Sequence, residues 1–112
     1  MSQFALLFRS PYDPTFVPTA EQMEAMYSAW GQWLGGLAAQ GKLVSAPQLG
    51  FNTAMVVGAS GTAAGPYTAG SVLMGLAIVE AADAAEAESI GKTCPILHQP
   101  EGTVEIRDIV PA

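Results

Sequence analysis

Charge is scarce in this sequence: only 12% of its residues are Asp, Glu, Lys or Arg. Ordinary globular domains carry about twice that share. Half of the 112 residues are hydrophobic, so a single folded copy has too little charge to cover its apolar surface. Burial in a homodimer or larger homo-oligomer is the simplest remedy. Positive charge is rarer still. Arg9, Lys42, Lys92 and Arg107 stand against ten Asp and Glu, for a net charge of −6. The four are scattered, whereas binding a phosphate backbone needs clustered Lys and Arg to displace counterions. Neither nucleic acid nor a membrane surface is expected as a partner.

Cysteine occurs once, at Cys94. That excludes an internal disulfide and suits a reducing compartment. Long apolar runs are also missing. Phe4–Phe8 gives five apolar residues before Arg9, too short for the core of a secretory signal. Val72–Val79 holds eight residues including Gly75, against the roughly 20 that span a bilayer. The expectation is a cytoplasmic protein with one domain over residues 1–112, since a second core does not fit this length.

What is present is an ordered set of elements. Phe4–Phe8 reads as a strand apolar on both faces, followed by a loop with Pro11, Pro14 and Pro18. Thr19-Ala-Glu-Gln22 matches a capping box and opens a helix whose Met23, Met26, Tyr27, Trp30, Trp33, Leu34 and Leu37 share one face. Gly41 supplies its left-handed stop. Two short strands are expected near residues 42–47 and 53–58, turned around residues 50–52. Residues 58–71, rich in Gly, Ala, Ser and Thr, read as loop. A strand follows over about residues 72–80, then a short helix capped by Asp83 with Glu86 and stopped before Pro95. A last strand at 103–110 puts Val104 and Ile106 inward, Glu105 and Arg107 outward.

The order β-α-β-β-β-α-β places two helices on one face of an antiparallel sheet, an α+β arrangement. An antiparallel sheet with one wet face alternates apolar and polar residues. The strands at 4–8 and 72–80 are apolar on both faces instead, which points to a second copy as the cover.

Four segments then carry a family likeness: Phe4-Ala-Leu-Leu-Phe-Arg9; Trp30-Gly-Gln-Trp33 with Gly41-Lys-Leu43; Gly65-Pro-Tyr67; and Cys94-Pro-Ile-Leu-His98 with Gly102-Thr-Val-Glu-Ile-Arg107. Together they resemble the YCII-related family, in particular its branch named for an Asp-Gly-Pro-Phe (DGPF) loop. The resemblance implies one YCII-like domain with a ferredoxin-like fold that is dimeric through the free sheet face. It brings no established reaction and only an occasional association with alternative sigma factors. The signature loop is degenerate here, reading Ala64-Gly65-Pro66-Tyr67. The charged positions that usually follow align with Ala69, Ser71 and Val72.

The candidate chemistry is sparse. His98 is the one histidine, and imidazole is the commonest general base near neutral pH. It can pair with Glu101 or Asp13, or simply face solvent. Cys94 can be a nucleophile beside it, but its place on the apolar face with Ala87 and Ile90 argues for a packing thiol. Cys94 and His98 are too few ligands for zinc. Arg9, beside Tyr12 and Asp13, can clamp a substrate carboxylate or pair with a neighbouring strand. Tyr67 joins Arg9 and Asp13 as a candidate ligand contact. The glycine-rich stretch from Gly58 to Gly65 lacks the ending of a P-loop and the spacing of a dinucleotide turn. Trp30 and Trp33 can line a ligand cavity or belong to the helix core. No cofactor or metal is expected.

Two functions fit these residues. One is a homodimeric binding or regulatory module for a small molecule or protein. The other is a small-molecule lyase or isomerase with His98 as general base and Arg9 as anion clamp. The missing loop charges favour the first.

Overall fold

The computed structural model describes residues 1–13 and 15–111; Pro14, one of the expected loop prolines, and Ala112 lie outside the described residues. Strand β1 (Ser2–Ser10) leads through the proline loop to helix α1 (Ala20–Ala39). The capping box forms as the sequence requires. Gln22 N–H donates to Thr19 Oγ1 at 3.1 Å, and Thr19 N–H donates to Gln22 Oε1 at 2.9 Å. At the other end Gly41 adopts φ 70°. Lys42 and Gly41 N–H groups donate to the Leu37 and Ala38 carbonyls at 2.9 and 3.0 Å. This pair of bonds is a Schellman stop, and the left-handed residue it needs is a glycine.

Strand β2 (Leu43–Ser45) then enters the main sheet, and β3 (Met55–Gly58) and β4 (Gly61–Ala64) form a separate hairpin. Here the structure corrects the sequence reading. The strand at 55–58 does not pair with its predecessor. Its partner is β4, which lies inside the segment expected to be loop, with Val56 opposite Ala63 and Gly58 opposite Gly61. Gly-Thr-Ala-Ala has little strand propensity of its own, so only the pairing reveals it.

Strand β5 (Val72–Ala81), helix α2 (Ala84–Gly91), a 3₁₀ turn at Pro95–His98 and strand β6 (Thr103–Asp108) complete the chain. Asp83 Oδ1 accepts from the Glu86 N–H at 2.9 Å, as expected of the second cap. Pro95 does more than stop α2: it opens the 3₁₀ turn, where its missing N–H costs nothing. Gly102 lies under that turn, and a Cβ there would collide with the Ile96 carbonyl oxygen.

The main sheet has the order β2-β5-β1-β6, and every neighbouring pair is antiparallel. Leaving aside the hairpin, this is a βαββαβ unit consistent with a ferredoxin-like fold. Both helices pack on one face. There Phe4, Leu6 and Phe8 meet Val79, Ala77 and Gly75 across the β1–β5 ladder, and Leu37, Ala87, Ile90, Cys94 and Ile96 close over them. Val104 and Ile106 turn to the same side and Glu105 and Arg107 to the other, as their alternation predicts. On the opposite face Ala5 and Leu7 pair with Ile78 and Leu76, all half-buried.

Candidate functional site

Helix α1 does not lie flat on the sheet. Trp30, Trp33, Leu34 and Leu37 dock, but Met23 is 37% and Tyr27 61% exposed. The apolar face read along the whole helix is thus buried only in its second half. Facing that first half across a gap, residues 46–49 extend the β2 edge along β5. Leu76 N–H donates to Pro47 O at 3.3 Å, Leu49 N–H donates to Met74 O at 3.2 Å, and Gln48 bridges Gly75.

The gap left between them is a cavity of about 210 Å³. Phe8, Met26, Trp30, Leu34 and Ile96 form its apolar wall, and Tyr27, Gln48 and Gln99 bring polar groups to it. Its aromatic wall is braced by edge-on contacts. Phe8 lies 5.1 Å from Trp30 and 5.9 Å from Trp33, and the two indoles are 5.7 Å apart. The tryptophans divide the work. Trp33 Nε1–H donates to Thr93 Oγ1 at 2.9 Å, and Thr93 Oγ1 donates to the Ile90 carbonyl at 2.8 Å, which locks that ring in the core. Trp30 has no such bond among the described residues and lines the cavity. Gln99 Nε2 donates only to Met26 Sδ, at 3.8 Å. Sulfur is a weak acceptor, so this amide keeps capacity for a better one.

The lining includes no Asp, Glu, Lys, Arg, His or Cys. None of the residues singled out for chemistry reaches it. His98 is exposed at the end of the 3₁₀ turn, next to Gln99, which does line the cavity. Arg9 faces β6, with its Nε 3.8 Å from Glu105 Oε1. Arg107 shares that carboxylate at 3.4 Å, while Lys42 pairs with Glu86 at 3.6 Å and Lys92 with Glu88 at 3.4 Å. All four Lys and Arg of the chain therefore sit beside a glutamate. Asp13 accepts from Thr15 Oγ1 at 2.6 Å and from Thr15 N–H at 2.9 Å. The hydroxyl bond, then the amide bond, holds its carboxyl below the ordinary range. Tyr67 is 74% exposed in the loop after β4. Cys94 is 1% exposed, and burial pushes its thiol up to about 11. A thiol so held is not a nucleophile at neutral pH. Among the described residues no three His, Cys, Asp or Glu side chains come together as a metal-binding set. No helix among them is long and apolar enough to cross a membrane.

Sequence reasoning raised a cavity for Trp30 but preferred the helix core for it, and it missed Gln48 and Gln99. These arrive from segments far apart in the chain, and no local spacing announces them.

The fold and cavity define an α+β protein of ferredoxin-like type with an uncharged, aromatic-walled chamber between its first helix and its sheet. The family model for the YCII-related domain matches residues 5–112, and the chain belongs to that family. Among curated proteins none matches it.

Proposed function

We propose that this chain is a cytoplasmic, homodimeric member of the DGPF branch that binds a small, neutral, largely apolar molecule. The lining of the cavity carries this reading. An apolar cavity of about 150 Å³ is enough to hold benzene, and this one is larger and adds the amides of Gln48 and Gln99. A flat ring fits against Trp30 and Phe8, and one hydroxyl or carbonyl can reach an amide. No lining group can take a proton near neutral pH or offset an anionic ligand, so the chamber suits binding rather than acid–base turnover. A degenerate signature loop agrees with this, because Ala64 and Tyr67 leave the segment without a carboxylate. Pairing through the outer sheet face would cover Ala5, Leu7, Leu76 and Ile78.

The test is a titration followed by the two indole N–H resonances. Benzyl alcohol should shift the Trp30 signal and leave Trp33, held by Thr93, nearly unmoved. Benzoate of the same size should do much less. Ala46→Phe, which fills the chamber, should abolish the shift. Equal responses to the alcohol and the acid, or a response that survives Ala46→Phe, would defeat the proposal.

A further inference from the structure

The β3–β4 hairpin is the part of the fold that its own chain does not explain. Each of its strands has four residues, and neither pairs with the main sheet. A lone two-stranded hairpin is marginally stable at best in water. Its side chains make matters worse. Met55 and Val57, two residues apart and so on one face, are 59% and 73% exposed. Opposite them stand Ala64 and Thr62, which add no charge. Exposed strand edges are normally guarded by charged side chains, proline or a covering element. No Lys, Arg, Asp, Glu or His occurs anywhere between Lys42 and Glu80.

Two whole-molecule quantities say how much surface is waiting for cover. The chain exposes 7482 Å², whereas a compact monomer of its mass is expected to expose about 5,800 Å². The excess is about 1,700 Å². Obligate homodimers bury roughly 1,000–2,500 Å² per chain, so the excess is the area one such interface removes. The radius of gyration is 15.3 Å, against about 13 Å for a compact chain of this length. The surplus surface therefore belongs with a projecting part, not a rough core.

We propose that the β3–β4 hairpin is an intersubunit clasp whose Met55/Val57 face packs on a second copy of the chain. A second copy is the occupant that the area fits, and it brings a matching uncharged surface. In a twofold pair each chain gives one arm and receives one, the self-complementary geometry of isologous dimers. The apolar centre formed by Leu7, Leu76 and Ile78 and the arms beyond it then make one continuous interface. Arg9, Glu105 and Arg107 stand at its β6 side as a polar rim.

This inference rests on the homodimer reading, and the experiment separates the two. The full chain is run by sedimentation equilibrium, and hydrogen exchange is followed on peptides covering residues 54–65. Wild type should be a dimer with a protected arm. Val57 is 73% exposed and its ladder partner is Thr62, so the circular dichroism of Val57→Lys should be nearly unchanged. Its dimer dissociation constant should rise on the order of 100-fold or more, because symmetry buries the charge twice. Leu7→Lys, aimed at the sheet face, should give monomers whose arm amides exchange freely. A monomeric wild type would end both the homodimer reading and the clasp. A wild-type dimer with an unprotected arm, or one as tight in Val57→Lys, would overturn the clasp and leave the sheet-face dimer standing. Arm protection that persists in Leu7→Lys monomers would also overturn it, since the arm would then dock on its own chain.

Discussion

Leu6 and Leu7 are neighbouring copies of one residue type on one strand, and the fold treats them in opposite ways. Leu6 is 0% exposed beneath both helices, opposite Ala77. Leu7 is half-buried on the far face, opposite Leu76 and Glu105. One face of β1 is finished by the chain itself: helices, 3₁₀ turn and Cys94 complete it, and no buried side-chain nitrogen or oxygen among the described residues lacks a partner. The other face, together with the arm, is apolar and left open. Stability of the single chain resides in the first region. The second has the composition of a core without the neighbours of one.

The comparison can be broken most directly at those two leucines. Leu6→Ala should cost about 2–5 kcal/mol in urea unfolding, because it removes three heavy atoms from a fully buried site. Leu7→Ala, measured at protein concentrations too low for pairing, should cost less than about 1 kcal/mol. Equal losses at both sites would mean that the chain covers its own outer face.

Cys94 sharpens the same contrast through pH. Its thiol titrates at about 11 in the folded chain and at 9.0 when unperturbed, with desolvation as the main cause and an Ile96 backbone hydrogen bond opposing it. Folding raises this pKa, so above pH 9 the unfolded chain loses the proton first. Stability is then full below pH 9 and falls as pH rises towards 11, by on the order of 2–3 kcal/mol. Cys94→Ala should flatten that slope, at the smaller cost of one lost sulfur contact. Unfolding midpoints across that range check it, and an unchanged slope in the variant would place the loss elsewhere.

The smallest effect is expected at His98. It is exposed and makes no side-chain hydrogen bond among the described residues, so His98→Ala should change folding stability by no more than about 0.5 kcal/mol. It should also leave the benzyl alcohol response of Trp30 nearly intact. A large loss of that response would bring the imidazole into the site and revive the acid–base alternative.

Much of the fold was legible because it is written in local chemistry. Thr19 with Gln22, Gly41, and Asp83 with Glu86 each solve an end problem within a few residues, and each was read correctly. The alternation of Val104, Glu105, Ile106 and Arg107 likewise fixed the faces of β6. The hairpin was misread because β4 is a strand only by virtue of β3. The cavity is not legible in the sequence, since the spacing of Trp30 suits a helix core equally well and Gln99 looks like any polar residue beside a proline.

The amino-acid sequence by itself determined the caps, the helices, the two apolar faces of the central strands and the shortage of charge that calls for a cover. These depend on spacing and composition, which the chain carries wherever it goes. Only the tertiary structure decided that α1 lifts from the sheet at Tyr27, that Gln48 and Gln99 meet around one chamber, and that the hairpin stands clear of its own core. Those outcomes depend on which distant segments come together, as residues 46–49 do when they extend the sheet edge along β5 and face the first half of α1 across the cavity.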